Sequence, residues 1–215
     1  MLIRILGGLD LRSADGAALR LPTRKAALVM VALVLTPKGL RREALCDALW
    51  PDRGEQQARS SLRQALTAIR AVLPDDGPGP RLDSEQETLR LLAEPDSVDL
   101  RRFDALAAAA TPERLAAAAE IYQGDILAGI ALPESFETWL APHRQAARRK
   151  ALALVERLSQ LAPGDACRAL AERLLATDPA AEEAHRALIR LSLAEGRRNA
   201  ALRQFELCRE ALRRK

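Results

Sequence analysis

Aromatic residues are scarce in this chain: one Tyr, two Trp and three Phe make up 3% of 215 residues, while 48% are hydrophobic. The core must therefore be aliphatic. Leu and Ala are strong helix formers and Ala lets helix axes approach, so this composition favours helix packed on helix. Cysteine is nearly absent as well. Cys46, Cys167 and Cys208 are odd in number and far apart, which suits neither a disulfide framework nor a zinc site and points to a reducing cytoplasm. There is no glycine-rich phosphate loop and no nucleophile elbow, and His143 and His185 stand alone among arginines. No catalytic residue, cofactor or metal ligand is expected. The most apolar run, residues 26–35, is about half a membrane span, and the first residues lack the apolar stretch and cleavage site of a signal peptide. No membrane partner is expected. Charge of one sign is also lacking: 33 Lys and Arg against 29 Asp and Glu leave +4, compatible with nucleic-acid binding but not diagnostic of it.

What is present is strong local patterning. Residues 2–6 alternate as a strand, with Arg4 opposed to its Ile neighbours, until Gly7-Gly8 breaks the run. Leu9 and Leu11 alternate with Asp10 and Arg12, Ser13-Ala14-Asp15-Gly16 has hairpin-turn chemistry, and residues 18–21 return as a third strand. Thr23 then caps a helix over 24–35 with Leu28, Val31, Ala32 and Leu35 inward, stopped by Pro37 and Gly39. Residues 41–49 form a short helix that Trp50-Pro51 ends. After the turn Asp52-Arg53-Gly54, Leu62, Leu66, Ile69 and Leu73 recur at helical spacing along a helix over 56–73, with Ala58 and Ala65 widening the stripe. Residues 74–80 read as a Pro- and Gly-rich loop, and 81–83 and 88–92 as two strands around Ser84-Glu85-Gln86-Glu87. A strand hairpin, three helices and a closing hairpin make the winged-helix arrangement.

Pro95-Asp96-Ser97 reads as a domain boundary, and everything beyond it as helix. Thr111 is the expected N-cap of a helix with Pro112 at its first position. A long helix over 135–161, with a bend expected at Pro142, is broken by Pro163-Gly164. The run from Gly164 (GDACRALAERL) aligns with that from Gly196 (GRRNAALRQFE) at an offset of 32, close to the tetratricopeptide period, with Asp178-Pro179 as the intervening turn. The expected fold class is mainly α with a small β component. A winged helix over 1–93 is followed by an all-α tetratricopeptide-like bundle over 97–215.

Two helices with a tight connection and a basic, hydroxyl-bearing second helix are what a helix-turn-helix needs to enter a major groove. Arg63 and Gln64 can bond bidentately to guanine and adenine edges, and Ser60 and Thr67 fit a base or a phosphate, so these four are the expected base contacts. Arg24, Lys25, Arg41, Arg42, Arg59, Arg70, Arg81 and Arg90 are the expected phosphate contacts, which position a protein without reading sequence. The plainer reading is a solvated amphipathic helix. The hairpin tip, Asp83-Ser84-Glu85-Gln86-Glu87, is acidic where a wing lying along DNA would be basic. The alternative is therefore an interaction module whose winged helix docks a protein.

The order of these elements resembles that of the SARP-type regulators, an OmpR-type winged helix followed by a bacterial transcriptional activator domain. The resemblance lies in LIRILGGLDL, TRKAALVMVALVL, GLRREALCDALWP with its Leu-Trp step, and ARSSLRQALTAIRAVLP as recognition helix. Beyond them it continues in SVDLRRFDAL with Asp99 and Phe103, YQGDILAGI with Tyr122, Gly124 and Leu127, and the later helices FETWLAPHRQAAR and GRRNAALRQFELCREAL. ETLRLL departs from the Gly-Tyr-Arg-Leu motif that such wings often carry. The resemblance implies a cytoplasmic regulator, more an activator than a repressor, that binds double-stranded DNA. Its helical domain would support a homodimer or contact RNA polymerase.

Overall fold

The computed structural model describes residues 1–73, 79–85 and 87–214. Residues 74–78 of the expected 74–80 loop, Gln86 of the hairpin tip and Lys215 lie outside the described residues. The fold is mainly helical with two small antiparallel sheets. Two compact units are distinguished: one gathers Met1–Ile5, Leu9–Asp99 and Ile130–His143, the other Leu6–Gly8, Leu100–Gly129 and Arg144–Lys215.

In the first unit, β1 (Leu2–Arg4), β2 (Asp10–Arg12) and β3 (Ala18–Leu19) form a meander in sequence order, with Ile3 opposite Leu11 and Leu11 opposite Leu19. Ile3 and Leu11 are buried while Arg4 is exposed, as strict alternation requires. Helix α1 (Arg24–Leu35) begins where Thr23 Oγ1 accepts the Ala26 N–H at 3.1 Å. All residues from Leu28 to Val34 are buried, so α1 is a central helix with neighbours on every side rather than the one-faced helix its stripe suggested. It packs against α2 (Arg42–Leu49), α3 (Glu55–Arg70) and β6 (Thr88–Leu92). Gly39, at φ +97°, makes the return, and a Cβ there would lie 2.6 Å from Thr88 Cγ2.

Three details differ from expectation. Leu40–Arg41 is a short strand, β4, pairing with β6, so α2 starts at Arg42 rather than Arg41. Two residues are too few to show a period. Helix α3 ends at Arg70, leaving Leu73 buried beyond the helix. The first strand of the closing hairpin, β5 (Arg81–Glu85), reaches two residues further than expected because its pairing with β6 carries on to Glu85 opposite Thr88. The order in this sheet is β4-β6-β5. Downstream of a 3-10 turn (Pro95–Ser97), Val98 bridges to Ile3 in parallel. The buried Asp99 carboxylate accepts the Ile5 N–H at 2.8 Å.

Helices α4 (Asp99–Ala107) and α5 (Pro112–Ile121) follow. Thr111 occupies the N-cap position of α5 with extended backbone, but its side chain makes no capping bond. The segment beyond α5 is not helical as expected: Leu6 bridges to Ile126, and the Asp125 carbonyl accepts from Gly7 and Ala128, both at 3.0 Å. Asp125 organises it. Its carboxylate accepts from the Tyr122 hydroxyl at 3.0 Å and from Arg148, Nε at 3.2 Å with a second bond from the guanidinium, while Arg144 donates to the Ile126 carbonyl at 2.7 Å. Helix α6 (Glu134–Leu161) runs through Pro142 without interruption. Arg157 donates to the carbonyls of Ala107 and Ala109, each at 2.6 Å, and Arg173 to that of Ala119 at 3.0 Å. Several arginines of this unit are thus occupied at helix ends.

Helix α8 (Glu182–Ala194) packs against both α7 (Asp165–Thr177) and α9 (Arg198–Arg213). The expected offset of 32 pairs buried Leu170 with Leu202, which is 64% exposed. The inward positions instead agree at 34: Cys167 with Ala201, Leu170 with Gln204, Leu174 with Cys208. The glycines misled the alignment because they do different work. Gly164 is the extended N-cap of α7, whereas Gly196, at φ +73°, terminates α8 in the left-handed region.

Candidate nucleic-acid interface

Helix α3 has two chemically distinct sides. Ala58, Leu62, Ala65, Leu66 and Ile69 are buried, where α1 and α2 pack, while Gln56, Gln57, Arg59, Arg63, Gln64, Thr67 and Arg70 are exposed. The separation follows from the sequence. Apolar residues recur every three or four positions, so about 100° per residue gathers them on one side and turns the others outward. Of the four expected base contacts, Arg63, Gln64 and Thr67 share the exposed side and Ser60 is half-buried at its edge. The Thr67 hydroxyl donates to the Arg63 carbonyl at 3.1 Å, leaving its acceptor lone pairs and methyl outward. Among the described residues no ion pair engages the Arg63 guanidinium.

The expected phosphate contacts are differently placed. Arg24, Arg41, Arg70 and Arg81 are exposed. Arg59 pairs with Glu55 at 2.9 Å along the same helix, both side chains well exposed, an interaction of little energetic weight. Arg42 donates to Ser84 at 2.5 Å, and Arg90, opposite Asp83 in the hairpin register, pairs with Glu85 at 3.4 Å. The acidic hairpin is therefore partly neutralised by Arg90 of its own sheet. Lys25 turns inward: its ammonium donates to the Leu49 carbonyl and lies 5.7 Å from the Trp50 ring centroid. Burial, reinforced by the charges of Arg53 and Arg24, holds its pKa below the usual lysine value.

Sequence reasoning missed Gln57, on the exposed side of α3, and Arg53, in the turn before it, which donates to the Ser61 hydroxyl at 2.7 Å. Their residue types were the available signal. Gln57 lies three residues, one turn, before Ser60 and Arg53 seven, about two turns, so both would be noticed by counting back from Ser60. A cleft of about 750 Å³ opens beside this turn, lined by Lys25, Trp50, Arg53, Pro133, Ser135 and Thr138.

Comparison with known proteins bears on the whole chain. Residues 97–215 match the family model of the Bacterial transcriptional activator domain. Among solved structures, Mycobacterium tuberculosis EmbR in complex with low affinity phosphopeptide is similar at a TM-score of 0.60 and 21% identity, over 100% of this chain and 65% of that one. This chain thus spans less than two thirds of that relative's length, and at this identity the likeness is one of fold. No curated protein matches.

Proposed function

This chain belongs to the bacterial transcriptional activator domain family of SARP-type regulators, and we propose on that premise that it is a sequence-specific, DNA-binding transcriptional activator. The exposed side of α3 carries the reading. A groove-entering helix needs an apolar side to hold it on its domain and a side of long polar and short hydroxyl residues, and α3 combines the two. In this proposal residues 1–93 bind double-stranded DNA in the cytoplasm. Arg63 and Gln64 read base edges, with Ser60 and Thr67 assisting, while Arg24, Arg41, Arg42, Arg59, Arg70, Arg81 and Arg90 supply the phosphate neutralisation. Residues 97–215 provide contacts to RNA polymerase or to a second copy of the chain.

Affinity for the duplex upstream of its own gene, measured by fluorescence anisotropy across a salt series, tests this. About six phosphate contacts predict a log–log slope of roughly −5. Arg63→Ala should cost about 1–3 kcal/mol on the cognate duplex and less on random DNA. Equal loss on both would reduce Arg63 to a phosphate contact. A folded chain that binds no DNA at low salt would overturn the proposal.

The second reading, a protein-docking module, draws support from the helical unit. A groove of about 700 Å³ there is lined by Leu175, Leu188 and Leu207 together with Glu172 and Glu210. Leu202 and Phe205 of α9 are more than half exposed.

A further inference from the structure

We propose that Lys25 and Ser135 are positioning residues for α3, holding the end of α2 so that the recognition face is presented at a fixed angle; the proposal rests on the DNA-binding reading above. The last carbonyls of a helix have no partner within it. In α2, Cys46 O accepts the Trp50 N–H at 2.7 Å in the last helical bond, and two of the carbonyls beyond it are satisfied by side chains from elsewhere: Ala48 O accepts the Ser135 hydroxyl at 2.7 Å and Leu49 O accepts the Lys25 ammonium. Five residues separate α2 from α3, and inside them Arg53 N–H bonds Trp50 O at 3.1 Å. The far end is clamped where Arg53 reaches Ser61. Gly54, the N-cap of α3, has no side chain with which to cap it, so beyond the packing of the apolar side against α1 and α2 the start of α3 is fixed by how the turn is held.

Leverage makes this matter for recognition. Arg63 lies nine residues beyond Gly54, about 14 Å along the helix at ~1.5 Å per residue. A tilt of about 10° at the turn would move it by about 2 Å, more than a bidentate hydrogen bond tolerates. The Lys25 side chain is half-buried, with its ammonium on the Leu49 carbonyl beside Trp50, and Ser135 is half-buried. An ammonium occupied by a backbone carbonyl is badly placed to neutralise a phosphate. A positioning role and a phosphate role for Lys25 therefore make opposite predictions.

Lys25→Met and Ser135→Ala are compared with the wild-type chain, and Ser135→Thr, which keeps the hydroxyl, serves as rescue. Affinity is measured on the upstream duplex and on random DNA across salt, with hydrogen exchange of the Trp50 and Arg53 amides read without DNA. Each of the two disruptive variants should lower the cognate-to-random affinity ratio about tenfold, within the range of one base contact. The salt slope should stay unchanged, the two amides should exchange faster, and Ser135→Thr should restore the ratio. A slope shallower by about 1 for Lys25→Met would make that residue a phosphate contact and overturn its assignment. Lower thermal stability with an unchanged ratio would leave both residues merely structural. If the wild-type chain binds no DNA, the DNA reading falls and this proposal with it; if it binds and the ratio survives both substitutions, only this proposal falls.

Discussion

Asp125→Ala should be among the most damaging single substitutions in the helical unit, and its cost can be worked from three hydrogen bonds. The carboxylate side chain is 11% exposed and accepts from Tyr122, itself 1% exposed, and twice from Arg148, whose side chain is 32% exposed. Removing it strands a buried hydroxyl, which costs about 1–3 kcal/mol. The guanidinium loses its partner too, but solvent reaches it, so its share is discounted to about 1 kcal/mol. A total of about 3 kcal/mol follows. Asp125→Asn keeps an acceptor for Tyr122 and should cost about half as much. The Asp125 backbone carbonyl, which accepts from Gly7 and Ala128, is untouched by either change, so the loss should appear in the urea midpoint with the m-value unchanged. Because the guanidinium no longer needs its partner once Arg148 is removed, Asp125→Ala combined with Arg148→Met should cost less than the sum of the two. A loss below ~1 kcal/mol for Asp125→Ala, or additivity within ~0.5 kcal/mol in the double variant, would refute this account of the node.

Three further outcomes follow from local chemistry. Thr23→Ala removes an observed capping bond and should cost about 1 kcal/mol, whereas Thr111→Ala removes none and should be close to neutral, as paired urea titrations would show. Burial raises the Cys167 thiol to about 11 and, with Asp47 adding to it, also raises that of Cys46. Burial raises the Cys208 thiol as well, but Cys208 is half-buried where the other two are buried, so at pH 8 a thiol reagent should modify Cys208 of the native chain first, and the other two only after unfolding; rapid native labelling of Cys167 would contradict its burial. A thiol whose pKa is raised by folding stabilises the native state below the unfolded value of about 9, and that contribution disappears as pH rises from about 9 to 11. The stability of the wild-type chain relative to Cys167→Ala should accordingly fall across that window.

Much of the winged region was legible residue by residue. The two sides of α3 follow from apolar spacing alone, Thr23 announced α1, and Thr88–Leu92 was read with its observed bounds. The repeat in the helical unit was legible as a period but misplaced by two residues, because glycines mark chain punctuation rather than burial, and Gly164 and Gly196 punctuate opposite helix ends. The strand β4 was not legible, since only its pairing with β6 makes it a strand. Asp99, noted for its resemblance to a family signature, turned out to have a physical role in accepting the Ile5 N–H from 94 residues away.

The sequence by itself determined where most of the helices lie, which side of α3 is apolar, and that Arg63 and Gln64 share its outward side with Thr67. These properties depend on neighbours within one or two turns, where periodicity and capping are encoded. Tertiary structure alone decided what the polar head groups do. Lys25 shares its composition signal with Arg24, yet its four-carbon stem carries the ammonium to a carbonyl 24 residues away, while Arg24 stays exposed. Ser135 reaches Ala48 across 87 residues. An orphan carbonyl takes whichever donor the packed backbone brings within about 3 Å, and no local pattern records which one that will be.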